Sequence, residues 1–214
     1  MPLLRYFPCL LLLSFGAGAA AQPSLQYGGI GGLSLATQEP GEDVRAGFNV
    51  GVFVDYPVLP FVAVSFEAAF AQKGQSYDEM YRQIEADGDT TLIPGTFTFA
   101  LDYASFTLAA KPSVTLDRRR GASLYAVAGP RLDVLVREKL LFEGFDQSIR
   151  FSIDEHEPTV WGYDVGVGVQ LGTLLPAPLL VEARFSGGLT NAFDGATRAK
   201  TRNQVVQLRL GVEF

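Results

Sequence analysis

The last ten residues of this chain alternate without a break. Val206, Leu208, Leu210, Val212 and Phe214 form one face, and Val205, Gln207, Arg209, Gly211 and Glu213 form the other. A period of two is the signature of a β-strand whose two faces meet different surroundings. Here the polar face carries full charges, and the same holds in segment after segment. Charges on one face and hydrocarbon on the other suit a barrel in lipid, with the charges in its lumen. A soluble secreted sandwich or lipocalin-like barrel also needs one apolar face, but that face points inward.

Eight segments carry the pattern. They begin with 25–35, where glycines weaken the alternation, and 46–56, where Ala46, Phe48, Val50, Val52, Val54 and Tyr56 share a face. In 62–73, Val62, Val64, Phe66, Ala68 and Phe70 oppose Ala63, Ser65, Glu67, Ala69, Ala71 and Lys73. The fourth segment, about 96–116, changes phase. Phe97, Phe99, Leu101 and Tyr103 form an early apolar face; Phe106, Leu108, Ala110 and Val114 form a later one. A one-residue slip flips every side chain, so a β-bulge is expected near Ala104–Ser105. Segments around 124–137, 161–171, 181–190 and 205–214 complete the set. The connections sort by length. Those at 57–60, 117–121 and 172–178 are short; those at 36–45, 75–95, 139–159 and 192–202 are long, polar and acidic. Short turns at one end and long loops at the other are the asymmetry of an outer-membrane barrel, periplasmic turns against extracellular loops. The expected fold is all-β, an eight-stranded antiparallel up-and-down transmembrane β-barrel.

Residues 1–21 read as a cleaved signal peptide, leaving 22–214 as the barrel. Arg5 opens a short charged region, Cys9–Phe15 is apolar, and Ala19-Ala20-Ala21 offers a small-residue cleavage site. That apolar run is too short to span a bilayer as a helix, and Cys9, the only cysteine, starts the run rather than following it as a lipidation cysteine would. The formal net charge of −6 argues against a nucleic-acid partner.

Strand parity turns a mixed set of charges inward: Asp55, Glu67, Asp102, Asp133, Asp164, Glu182 and Glu213 with Lys73, Lys111, Arg131, Arg137, Arg184 and Arg209. Counting from the short turns sets Glu67, Lys111, Arg131, Asp164, Arg184 and Arg209 at similar heights. Together with Asp133 and Glu182 they form the expected lumen charge network. An ion path is one reading. A salt-bridged plug is the other, and it is preferred because an eight-stranded barrel has room for its own side chains and little else. His156, the single histidine, lies beside Asp154, Glu155 and Glu157. Neither a serine partner for hydrolysis nor calcium-loop spacing accompanies it, so it reads as a solvated loop residue. No cofactor or metal motif is present. Arg118-Arg119-Arg120 occupies a short turn, where it meets anionic headgroups or water. Trp161, Tyr163, Tyr103, Tyr125, Tyr56 and Phe214 lie near strand ends, where an aromatic girdle is expected.

A set of short motifs spans the chain. It includes Gly47-Phe48 with Gly51-Val52-Phe53, Gln72-Lys73-Gly74, Leu101-Asp102-Tyr103 ahead of Lys111, and Ala128-Gly129-Pro130. Glu182-Ala183-Arg184, Gly188-Leu189-Thr190-Asn191, Gln207-Leu208, Gly211 and terminal Phe214 continue it. In order and spacing the chain resembles the PorT-like small outer-membrane β-barrels. The resemblance implies an outer-membrane barrel, commonly without an assigned function. The C-terminal Phe214 resembles the assembly signal read by the barrel-assembly machinery. The expected partners are therefore outer-membrane lipids and, during biogenesis, that machinery; the sequence names no extracellular partner. The leading expectation is a non-enzymatic barrel with a charge-plugged lumen and mobile extracellular loops, in a structural or surface-interaction role. A narrow porin-like channel is the alternative, with a barrel enzyme or a soluble ligand binder behind it.

Overall fold

The computed structural model describes residues 24–39, 44–84, 90–117, 119, 121–144, 147–151, 157–172, 177–192 and 201–214. The expected signal peptide, His156, Arg118 and Arg120 lie outside these residues. Among the described residues nine strands follow in order: β1 (Gln26–Glu39), β2 (Arg45–Leu59), β3 (Val62–Ile84), β4 (Thr90–Asp117), β5 (Ala122–Gly144), β6 (Gln147–Phe151), β7 (Thr159–Leu171), β8 (Leu179–Gly188) and β9 (Arg202–Glu213).

All pairings are antiparallel. Each strand from β1 to β5 pairs with the next, β5 pairs with β7, and β7, β8 and β9 continue in turn. β9 then returns to β1, from Gly28–Glu213 to Glu39–Arg202. Eight strands therefore form the ring, and the ninth, β6, is a short partner for the far end of β5. A closed ring is what lipid demands, because an open strand edge leaves backbone groups with no water to bind.

Burial is inverted relative to a soluble protein. Arg209 is 1% exposed, while its neighbour Leu208 is 61% exposed. Leu33, Val52, Val167 and Leu210 are likewise exposed, and Asp55, Asp133, Asp164 and Glu182 are buried. The apolar face is the outer one, as a hydrocarbon solvent requires.

The structure corrects four expectations. First, much of the two longest loops is sheet. β3 runs to Ile84 and β4 starts at Thr90, paired throughout; β5 runs to Gly144 and pairs with β6. β3 leaves β2 after the Asn49–Ala71 pair and continues with β4 alone. Gly74, at φ 120°, lies just past this departure, in a conformation that a side chain would disfavour. Beyond the lipid a strand no longer needs two solvents, so alternation fades while pairing persists. Second, β4 has no bulge at Ala104–Ser105. Its register with β3 is unbroken, and the slip lies on β5, where Tyr103 pairs with Leu135 and Asp102 with Arg137, leaving Val136 extra. The apolar face at Leu101 and Tyr103 thus turns inward, where both are fully buried against Val160. An apolar layer inside the barrel imitates a phase change in the sequence. Third, Tyr103 and Tyr125 belong to the lumen rather than to a girdle; Tyr56, Trp161, Tyr163 and Phe214 are exposed on the outside. Fourth, Asp102 takes the face opposite Tyr103, and the slip brings Arg137 beside it, half exposed, so this pair stands apart from the lumen charges.

Candidate functional site

Inward parity on β3, β5, β7, β8 and β9 brings charged side chains together at mid-barrel, where their ion pairs form one chain. Lys73 Nζ lies 2.6 Å from Asp133 Oδ2. Asp133 also meets Arg131 Nε at 3.0 Å, and Arg131 Nη1 reaches Asp164 Oδ1 at 2.6 Å. Arg184 Nη1 lies 3.2 Å from Asp164 Oδ2 and 3.1 Å from Glu67 Oε2, while its Nε meets Glu182 Oε1 at 2.7 Å. Arg209 closes the far end, with Nη2 at 2.7 Å from Glu67 Oε1 and Nη1 at 3.5 Å from Glu182 Oε1. Four cations therefore balance four carboxylates. The guanidinium fork suits this role, since one arginine can bridge two or more carboxylates. Burial of such charges is tolerable only when each is paired.

Hydroxyl groups complete the set. Ser105 donates to Asp133 at 2.6 Å. Ser186 and Thr107 donate to Asp164 at 2.7 and 2.9 Å. These residues share the inward parity of the charges, so a search for polar rather than charged inner positions finds them. Inner glycines make room: a Cβ on Gly162 would sit 2.7 Å from Arg131 Nη2.

Lys111 is inward but does not join this chain. Its Nζ lies 2.5 Å from Asp55 Oδ2, nearer the short-turn end. The register explains the difference from simple counting. Glu67 lies opposite Thr107, and Lys111 falls four residues lower, opposite Ala63. Near Asp55, Glu213 accepts a hydrogen bond from Gln170 Nε2 at 2.9 Å. Between this lower group and the main chain lies a buried apolar cluster of Ile30, Phe53, Ala109, Tyr125, Val127 and Leu180. Phe214 follows β9 on the outside, with its ring centroid 6.4 Å from that of Tyr27. Among the described residues, no cluster of three or more His, Cys, Asp or Glu could hold a metal. Among the described residues, the buried charged set includes no cysteine or histidine. The ion pairs link β3, β5, β7, β8 and β9 across the barrel interior.

Comparison with known proteins gives the fold a place. No curated protein matches the chain. Among solved structures, Neisserial surface protein A (NspA) is similar over 89% of this chain and 97% of its own, at 14% identity and a TM-score of 0.50. Ail, the attachment invasion locus protein of Yersinia pestis, aligns over 89% of this chain and 99% of its own, at 17% identity and a TM-score of 0.41. OprG from Pseudomonas aeruginosa aligns over 91% and 98%, at 12% identity and a TM-score of 0.42. The family model of the outer membrane protein beta-barrel domain matches residues 20–194. With that match covering most of its length, the chain belongs to the outer membrane protein beta-barrel domain family, and its place is the cell outer membrane.

Proposed function

We propose that this protein is a non-enzymatic outer-membrane barrel whose lumen is closed by its own side chains and whose long-loop end serves a structural or surface-interaction role. The continuous ion-pair chain from Lys73 to Arg209 carries the reading. It crosses a lumen that eight strands leave barely wide enough for side chains. Short turns at one end and extended strands at the other support a periplasmic and an extracellular end respectively. On this reading the prolonged β3–β4 hairpin is the surface the cell presents outward. The PorT-like subfamily remains the resemblance that fits the motifs. Recognition of Phe214 by the barrel-assembly machinery and cleavage before Gln22 belong to the same proposal.

Single-channel recording in planar bilayers tests the closed lumen. The expected result is a flat baseline from protein that circular dichroism shows to be folded. Reproducible current steps would instead favour a narrow channel for small solutes.

A further inference from the structure

We infer that the lumen carries a second seal, distinct from the ion pairs: an apolar septum toward the short-turn end, latched by Lys111. The inference rests on the closed-lumen reading and locates the closure within it. Ile30, Phe53, Ala109, Tyr125, Val127 and Leu180 form one buried cluster, drawn from the inner faces of β1, β2, β4, β5 and β8. Its two rings are seated on glycines. Phe53 lies over Gly28 and Tyr125 over Gly168, in each case its partner across the strand pair, and a Cβ on either glycine would collide with the ring. Lys111 Nζ stands 4.5 Å from the centre of Tyr125 and 5.2 Å from that of Phe53. Asp55 neutralises the same ammonium at 2.5 Å. A cation held by two aromatic faces and a carboxylate ties β2, β4 and β5 together across the septum.

The surroundings differ on the two sides. On one side stand the paired charges of Glu67, Glu182, Arg184 and Arg209. On the other lies a cavity of about 400 Å³ whose lining includes Gln26, Ser113, Thr115, Ser123 and Gln170. Pro57 and Ala63 also line it; Pro57 lies two residues below Asp55 on the same face, and Ala63 is the strand partner of Lys111, so the Lys111–Asp55 pair lies next to the cavity's lining. An ion crossing from this cavity must shed its water among apolar side chains, and apolar constrictions block conduction by staying dry. The ion pairs above are hydrophilic and lack that property. The septum therefore separates the charged network from water at the short-turn end, and the cavity is a dead end.

Thiol accessibility tests this. Ala69 lies on the inner face of β3 between Glu67 and Ala71, beyond the septum. The full chain carrying Cys9→Ser and Ala69→Cys is treated with a small charged methanethiosulfonate, alone and with Phe53→Ala/Tyr125→Ala or Lys111→Met. We expect slow labelling in the starting protein. Opening the septum should raise the rate at least about tenfold, since access to a closed interior is set by how often it opens. Lys111→Met, which nearly preserves side-chain volume, should raise it less and guards against a misfolded double variant. Fast labelling of the starting protein overturns the septum. So do unchanged rates in both variants when each is folded by circular dichroism and wild-type bilayers are silent, and that result leaves the closed lumen standing. Current steps through the wild type would sink both readings.

Discussion

Arg184 meets three carboxylates at once: Glu67, Asp164 and Glu182. Removing it leaves those acids buried with too few cations, a loss on the order of 3–5 kcal/mol. Arg184→Leu should therefore destabilise the barrel strongly in urea unfolding from lipid vesicles. Adding Glu67→Leu removes one of the orphaned charges and should recover part of the loss. Residues that share a network couple by roughly 0.5–3 kcal/mol, so the two single variants and the double variant should depart from additivity. Strictly additive losses would mean that the 3.1 Å contact between Arg184 and Glu67 contributes nothing. Strand parity assigns these residues an inner face, but parity alone cannot say which of them touch. That depends on the stagger between strands, and so Lys111 pairs with Asp55 instead of joining Glu67.

On β7 the outer face is set by Val165 and Val167, and the inner face by Asp164, Gly166 and Gly168. Arg131 and Tyr125 fill the space its inner glycines leave at Gly162 and Gly168. Val167 is 59% exposed on the lipid side. Placing an arginine there should cost roughly 2–4 kcal/mol if it lies near the bilayer midplane, as charged substitutions on lipid-facing strands do. Folding of Val167→Arg into vesicles with wild-type stability would mean that β7 is turned over in the membrane. β4 shows why faces are harder to read near the long-loop end. Leu101 and Tyr103 look lipid-facing by composition, yet they are buried inside the barrel with Val160. Hydropathy identifies an apolar side chain without saying which of two apolar surroundings it occupies.

The ring closes where β1 meets β9. Phe214 N donates to Tyr27 O at 2.7 Å, just beyond the last β1–β9 pair. Because Phe214 adds only this one terminal pairing with Tyr27 to a ring held by eight strands, deleting it should cost the refolded barrel little stability. If it is also the assembly signal, the same deletion should sharply lower the amount of folded barrel in outer-membrane fractions. Equal amounts of wild type and deletion in those fractions would remove that role. Closure also gives the family match its physical content. A sheet of this composition is stable in lipid only as a ring, since any open edge would leave backbone groups without partners.

The sequence by itself determined strand parity away from the β4–β5 slip, the outward apolar face of most strands, the number of strands in the ring and the outer-membrane setting. Each follows from local alternation, because a period of two records which solvent each side chain meets. Only the tertiary structure decided the rest: the pairing of Lys73 with Asp133, the separation of Lys111 from the main chain of charges, the slip at Val136 and the inward turn of Leu101, Tyr103 and Tyr125. These depend on register between strands distant in sequence. A shift that preserves every residue's face can still change its partner, and the alternation pattern is blind to it.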